Sequence, residues 1–348
     1  MITIKDVARA AQVSIATVSR VLNAYPHVRP EVRERVQKAI AELGYSPNRL
    51  ATSFRTQQSR VVGVFLRQQR TPFSSALAYA VESAIFEAGY RALLCSTDGD
   101  PDREETYVES MIELRAEGVV IRPTGSAART ARHVARLREA GISIVFADMK
   151  PPMTQVSAVV CDNYSGGYEG MRHLLGLGHR KIGIIAGSRA QAGGAKGNGN
   201  VGSERMRGIM RASQDLAEGV ELFFSGPFDE ATLEEGARQA EYIFDSYPDV
   251  TALFGTTDVL AIGAMQTAHR RGMAVPDEIS ILGYDGIMES GITFPSLSTV
   301  RQPIHEMGTL AAQTLLHHIR NPQASAQHIV LENSVLVRNS TGPVSETR

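Results

Sequence analysis

The sequence predicts a small, basic, all-α helix-turn-helix headpiece with a hinge helix, followed by a larger α/β body of two lobes, each a parallel sheet flanked by helices. Three observations lead there. Residues 3–23 contain two short apolar periods of helical spacing joined by a turn; cationic side chains gather in the first sixty residues; and from Arg60 onward short apolar runs alternate with amphipathic helical stretches.

The elements of the headpiece follow in order. Thr3 and Asp6 have capping-box-like spacing, which puts a hydroxyl and a carboxylate at the positive end of a helix beginning near Ile4. Ile4, Val7 and Ala8 share one face, and Val13 fills the space between this helix and the next. Ser14 is placed to cap the second helix. Its inward stripe is Val18, Val21 and Leu22, which leaves Ile15, Ala16, Thr17, Ser19 and Arg20 to point elsewhere. A third helix opens at Pro30, carries Val32, Val36, Ala39, Ile40 and Leu43 on one face, and stops at Gly44. Tyr45-Ser46-Pro47 then introduces Asn48–Thr56, too short to be a stable helix alone.

Charge separates this headpiece from an ordinary helical hairpin. Ten Lys and Arg against four Asp and Glu give residues 1–60 a formal charge of +6, while the whole chain is −1, so the remainder carries −7. A basic end on an acidic chain suits a module that contacts phosphates.

In the body, strand-like runs occur at 61–66, 92–95, 118–121, 143–146, 158–161, 181–185, 222–224, 251–254 and 279–282. This is too much chain for one small sheet, hence two lobes. Ligands of open parallel sheets bind beyond the carboxyl ends of the strands, so the residues there are the candidates. They are Phe73 after the first run, Arg122 after the third, Asp148 after the fourth, Asp162 after the fifth, Thr257 and Asp258 after the eighth and Asp285 after the ninth, with Arg205 opening a helix.

Four motifs, Thr3-Ile-Lys-Asp-Val-Ala8, Val13-Ser-Ile-Ala-Thr-Val-Ser-Arg-Val-Leu-Asn23, Leu43-Gly-Tyr-Ser-Pro-Asn48 and Ile281-Leu-Gly-Tyr-Asp285, carry a resemblance to the LacI/GalR family of bacterial transcriptional regulators over essentially the whole chain. The resemblance implies a homodimer whose paired headpieces enter adjacent major grooves of a palindromic double-stranded operator, with the hinge segments in the minor groove. It implies a headpiece at 1–46, a hinge at 47–60 and a body of the type I periplasmic-binding-protein arrangement at 61–348. Crossings between lobes are then expected near 162, 292 and 321, giving lobe 1 about 61–161 and 292–320, and lobe 2 about 162–291 and 321–340.

By the same resemblance Ile15, Ala16 and Arg20 read bases, Arg20 by pairing with O6 and N7 of guanine. Thr3, Ser14, Thr17, Ser19, Asn23 and Tyr45 serve packing, caps or phosphates, and Asn48 and Arg55 complete the DNA-facing set. Phe54 stands where the family usually has the leucine that wedges into the central base step; phenylalanine can wedge too, or dock on the body without DNA. Gln12 replaces a common turn glycine, and Arg29 a capping Ser or Thr.

Phe73, Asp148, Arg205, Thr257 and Asp285 match effector-contacting positions, and Arg122 joins them at the cleft. Carboxylates and guanidinium groups suit adjacent hydroxyls, and an aromatic face suits C–H groups, so a sugar-like effector is expected. Thr257 departs from a frequent asparagine. Arg67, Arg70 and Arg122 suit a sugar acid or sugar phosphate, unless they pair with surface acids or face the dimer partner. Asp258 reads better as a cap or lobe-stabilising acid. Release of DNA by an inducer is expected, as for catabolic regulators of this family.

A second class of function rests on Gly197, Gly199 and Gly202, a literal GxGxxG before a helix. A dinucleotide fingerprint needs its first glycine in the turn directly after a strand, but about ten residues intervene here, so a long loop is favoured over a nucleotide-binding enzyme. His317 and His318 are adjacent and diverge on a helix, and the nine histidines have no metal-site spacing. Cys95 and Cys161 sit in apolar strands, as reduced buried thiols do. No catalytic residue, metal or cofactor is expected. The start of the chain does not read as a signal peptide, and no apolar run is long enough for a membrane span, so a cytoplasmic protein is expected. The last ten residues lack leucine heptads, which favours a dimer over a tetramer.

Overall fold

The computed structural model describes residues 2–22, 25–45, 59–187, 201–226, 228 and 230–345. Asn23, Asn48, Phe54 and Arg55, and with them the expected hinge helix, lie outside the described residues, as do Gly197 and Gly199. The chain divides into two compact units, residues 1–59 and 60–348.

The first unit is three helices, α1 (Ile4–Ala10), α2 (Ile15–Leu22) and α3 (Pro30–Leu43). The Asp6 carboxylate accepts the Thr3 backbone N–H at 2.9 Å and the Thr3 hydroxyl at 2.7 Å. These two hydrogen bonds, chiefly that from the hydroxyl, hold Asp6 below the usual carboxylate range. Gln12 carries the turn at φ 50°, a left-handed conformation that explains why glycine is favoured there. Ser14 Oγ accepts the Thr17 N–H at 3.1 Å, capping α2. Val7, Val18 and Val36 are fully buried between the helices, and Gly44 ends α3 at φ 59°.

The second unit contains two six-stranded sheets of the same design. In chain order the elements are β1 (Val61–Leu66), α4 (Pro72–Glu87), β2 (Arg91–Ser96), α5 (Pro101–Glu113), β3 (Gly118–Ile121), α6 (Ala127–Glu139), β4 (Ser143–Ala147) and β5 (Ser157–Cys161). There follow α7 (Asn163–Gly176), β6 (Lys181–Ile185), α8 (Val201–Asp215), β7 (Glu221–Phe224), α9 (Leu233–Ser246), β8 (Ala252–Gly255), α10 (Asp258–Arg270) and β9 (Ser280–Asp285). The chain finishes with α11 (Glu289–Ile292), β10 (Ser298–Arg301), α12 (Ile304–Arg320), β11 (His328–Leu331) and β12 (Ser334–Leu336). The sheets run β2-β1-β3-β4-β5-β11 and β7-β6-β8-β9-β10-β12, parallel except where β12 pairs antiparallel with β10.

The period of two decides which helix each strand residue meets. Val62, Val64 and Leu66 face the layer of α4 and α12, while Phe65 joins Val119 and Ile121 beneath α5 and α6. Lobe 2 repeats this scheme, with one core under α7 and α8 and another under α9 and α10.

The lobe boundaries expected from sequence need correction. The first crossing is at Asp162, but the second follows β10 at Gln302–Pro303 and the third follows β11 at Glu332–Asn333, about ten residues later than expected. β10 belongs to the lobe 2 sheet through its pairing with β9, and β11 to the lobe 1 sheet through β5. These strands, with β12, are three or four residues long and, unlike the equally short β3 and β8, are only partly apolar and partly exposed, so they carry no buried apolar run to mark them. Only their partners reveal them.

Candidate functional site

On the headpiece, Val18 and Val21 turn α2 inward and so set its other face outward. Ile15 is 45% exposed, Ala16 and Arg20 are exposed, and Thr17 and Ser19 are half-buried. The Thr17 and Ser14 hydroxyls lie 2.9 Å apart, so both are engaged at the helix start. Tyr45 packs against the headpiece core.

In the body, both sheets reverse their strand order at equivalent places, between β1 and β3 and between β6 and β8. Connections there leave in opposite directions and open a crevice at the carboxyl ends. The two crevices face one cavity of about 200 Å³. Phe73, Arg122, Asp148, Arg205, Thr257 and Asp285 all line it, as do Arg67 and Phe228. Phe228 was missed by sequence reasoning, although it lies just past β7 and the strand-end rule would have reached it.

Lobe 1 contributes Asp148 at φ 63°, 1% exposed. Arg122 Nε lies 2.6 Å from its Oδ2, an ion pair whose angle makes no hydrogen bond, and among the described residues neither Asp148 oxygen has a hydrogen-bond partner.

Lobe 2 contributes Arg205, held where α7 and α8 touch backbone to backbone. A Cβ on Gly167 would sit 2.1 Å from the Arg205 carbonyl oxygen, so only glycine lets the helices approach so closely. The guanidinium donates to Asn163 Oδ1 at 2.8 Å and to the Thr256 carbonyl at 2.7 Å, pairs with Asp285 Oδ1 at 3.0 Å, and stacks 3.7 Å above the Tyr284 ring. Burial works against its charge, but Asp285 and the neighbouring Tyr284 and Asp148 more than offset this and hold its pKa above the ordinary value.

Asp285 closes β9 at φ 120°, a conformation that non-glycine residues rarely adopt. Gln302 Nε2 donates to its Oδ1 at 2.8 Å. Burial pushes the Asp285 carboxyl up to about 7 despite Arg205. Thr257 reaches the cavity as the cap of α10, its hydroxyl accepting the Leu260 N–H at 3.3 Å.

Asp258 does not line the cavity. It is fully buried, and it accepts the Gly286 and Ile287 N–H groups at 2.8 and 2.9 Å and the Thr299 hydroxyl at 2.5 Å. It therefore acts as the lobe-stabilising acid expected from sequence, with burial raising its pKa to about 6. Cys95 and Cys161 are buried free thiols, both pushed up to about 12 by desolvation, far from a reactive thiolate. Among the described residues no His, Cys, Asp or Glu cluster can hold a metal, and no helix is long and apolar enough to cross a membrane.

A basic helix-turn-helix unit and a two-lobed unit built around a cleft lined by charged and aromatic side chains define a DNA-binding transcriptional regulator controlled by a small molecule. Residues 3–48 match the lacI family of bacterial regulatory proteins, and residues 171–341 match the periplasmic binding protein-like domain. The chain is 33% identical over 345 residues to the HTH-type transcriptional regulator DegA of Bacillus subtilis, covering 99% of each. It is 31% identical over 344 residues to the ribose operon repressor of Haemophilus influenzae, covering 98% of each. It superposes on the lac repressor dimer bound to operator and the anti-inducer ONPF with a TM-score of 0.85 and 25% identity, over 98% of this chain and 99% of that one. For the transcriptional regulator CelR–cellobiose complex the TM-score is 0.68 and the identity 28%, over 98% and 100%. The chain belongs to the lacI family of bacterial regulatory proteins.

Proposed function

We propose that the chain is a cytoplasmic, homodimeric repressor of a catabolic operon that binds palindromic operator DNA and is released by a small, neutral, sugar-like effector held between the lobes. The observation that carries the effector class is the two Arg–Asp couples, half-buried Arg122 with buried Asp148 and the fully buried pair Arg205–Asp285, facing one cavity from opposite lobes. Arg122 and Arg205 each already have a carboxylate beside them, so an anionic ligand at these groups would also meet the charge of Asp148 and Asp285. A polyol instead supplies donors to the carboxylates, above all to Asp148, and acceptors to the guanidinium groups, while Phe73 and Phe228 suit its C–H faces. Sugar acids and sugar phosphates are the less favoured ligands.

The DNA-facing set comprises Ile15, Ala16 and Arg20 for bases, and Thr3, Ser14, Thr17, Ser19, Asn23, Tyr45, Asn48, Phe54 and Arg55 for phosphates, packing and the wedge. Support for a homodimer comes from the described lac repressor dimer and from Met288, Ile292 and Phe294, which are 77–103% exposed and leave an apolar patch for a partner to cover. The nucleotide-enzyme reading finds no support, since β6 ends at Ile185 and α8 begins only at Val201.

The test is a thermal-shift screen of the full chain against neutral sugars, sugar acids, sugar phosphates, nucleobases and NAD, because a ligand bound only by the native state must stabilise it. A shift from a neutral sugar that disappears in Arg205→Ala, and weaker binding to a selected palindrome when that sugar is added, are expected. Stabilisation by anionic sugars alone would overturn the neutral assignment, and stabilisation by NAD alone the regulator reading of the cleft.

A further inference from the structure

Three chain crossings join the lobes, and one side chain of the cleft connects to all of them. At the first, Arg205 Nε donates to Asn163 Oδ1, and Asn163 itself donates to the Cys161 carbonyl at 3.2 Å. At the second, Arg205 pairs with Asp285, which holds Gln302 twice: the Gln302 backbone N–H donates to the Asp285 carbonyl at 3.0 Å, and its side chain to the Asp285 carboxylate. At the third, Asn333 Nδ2 donates to the Asp162 carbonyl at 2.7 Å and to the Tyr284 hydroxyl at 3.0 Å, while that hydroxyl donates to Asn163 Oδ1 at 3.3 Å. The Asp162 N–H also donates to the Leu331 carbonyl at 3.0 Å, binding the first crossing to the third.

We propose that Asn163, Tyr284, Gln302 and Asn333 are positioning residues that couple the Arg205–Asp285 pair to all three crossings, so that the hinge between the lobes yields as a single unit. The reading of regulation rests on the effector cleft proposed above; the coupling itself does not. Asn163, Arg205, Tyr284, Asp285 and Gln302 are each no more than 6% exposed and Asn333 is half-buried, so a bond broken at a buried member away from the cleft is poorly replaced by water. Among the described residues Gln302 Oε1 and Asn333 Oδ1 already lack a hydrogen-bond partner, so each remaining bond of these two side chains carries more of the junction, and losing one favours rearrangement of its neighbours with it. Packing makes the junction discrete. A Cβ on Gly166 would fall 2.1 Å from the Tyr284 hydroxyl and 2.7 Å from Asn333 Nδ2, so there is no room for the hydroxyl to drift toward α7. An effector that engages Arg205 or Asp285 therefore acts on the hub of the hinge, and its preference for one lobe arrangement reaches every crossing.

The test is hydrogen exchange by mass spectrometry on the full chain without ligand, comparing wild type with Asn333→Ala and Tyr284→Phe. Tyr284→Phe keeps the ring under Arg205 and removes only the hydroxyl. The expected result is faster exchange, roughly five- to tenfold for the loss of one net hydrogen bond, in the peptides holding Asp162–Gly166 and Gln302 as well as in 330–336, with β8 unchanged. Acceleration confined to 330–336 in Asn333→Ala, or to the neighbours of residue 284 in Tyr284→Phe, would overturn the proposal. So would equal acceleration in β8 in both variants, which marks general loosening. Should no sugar stabilise the protein, the effector reading fails while the exchange result still decides the coupling.

Discussion

Asp285 concentrates the chemistry of the cleft in one residue. Its free carboxyl would titrate at 3.8, but in the fold burial carries it to about 7. Between those values the native state holds a proton that the unfolded chain has lost, so this group makes stability fall as pH rises from about 4 to 7, after which its contribution levels off. Asp285→Asn is expected to flatten that part of the profile of Tm against pH for the body; an unchanged slope would mean that Asp285 stays ionised throughout. His133 adds a second, higher window. Burial opposes its charge, but Glu104 and Glu105, each 2.9 Å from a ring nitrogen, prevail and raise its pKa above 6.5. Its contribution is complete below 6.5 and is lost as pH rises through the raised folded value, so His133→Gln should flatten the profile above 6.5.

Asp148, Arg205 and Asp285 were legible as candidates because strand ends and a helix start are visible in the sequence. That Arg205 would contact Asp285, or that Tyr284 would lie flat beneath it, was not, since these residues meet only after two sheets have formed.

Among the elements, α1 to α3 were readable because each carries a clear helical stripe and a cap or stop residue. Gln12 is the exception built into them: Gln12→Gly should relieve a left-handed residue and stabilise the headpiece by about 1 kcal/mol, seen as a higher Tm for its transition. The contact of α7 with α8 depends on space that only glycine leaves. A Cβ on Gly208 would lie 2.0 Å from the Tyr164 carbonyl oxygen, and Gly208→Ala is expected to cost at least about 1–3 kcal/mol. It should also weaken sugar binding, since α8 carries Arg205. Native Tm and native affinity would contradict that account. The short strands β10, β11 and β12 escaped sequence reading, β11 because its hydrogen bonds go to β5 far back in the chain, and with them the true crossings were missed.

For the whole molecule, Phe54→Ala should weaken operator binding while sugar-induced stabilisation persists, and equal operator affinity in a titration would remove the wedge role. Phe294→Asp tests the partner surface: sedimentation should show a shift from dimer to monomer, and an intact dimer would move the interface elsewhere. The sequence by itself determined the order of domains, the segregation of charge and the DNA-binding character, because helical stripes, caps and charge are local and repeat within a few residues. It also indicated which residue types stand at strand ends. Only the tertiary structure decided that those strand ends face one cavity, which lobe owns each late strand, and that the three crossings share one buried hydrogen-bond network. The shared network and the placing of β11 depend on pairings between residues more than a hundred positions apart, such as Asn163 with Tyr284 and Asp162 with Asn333, which no local pattern encodes.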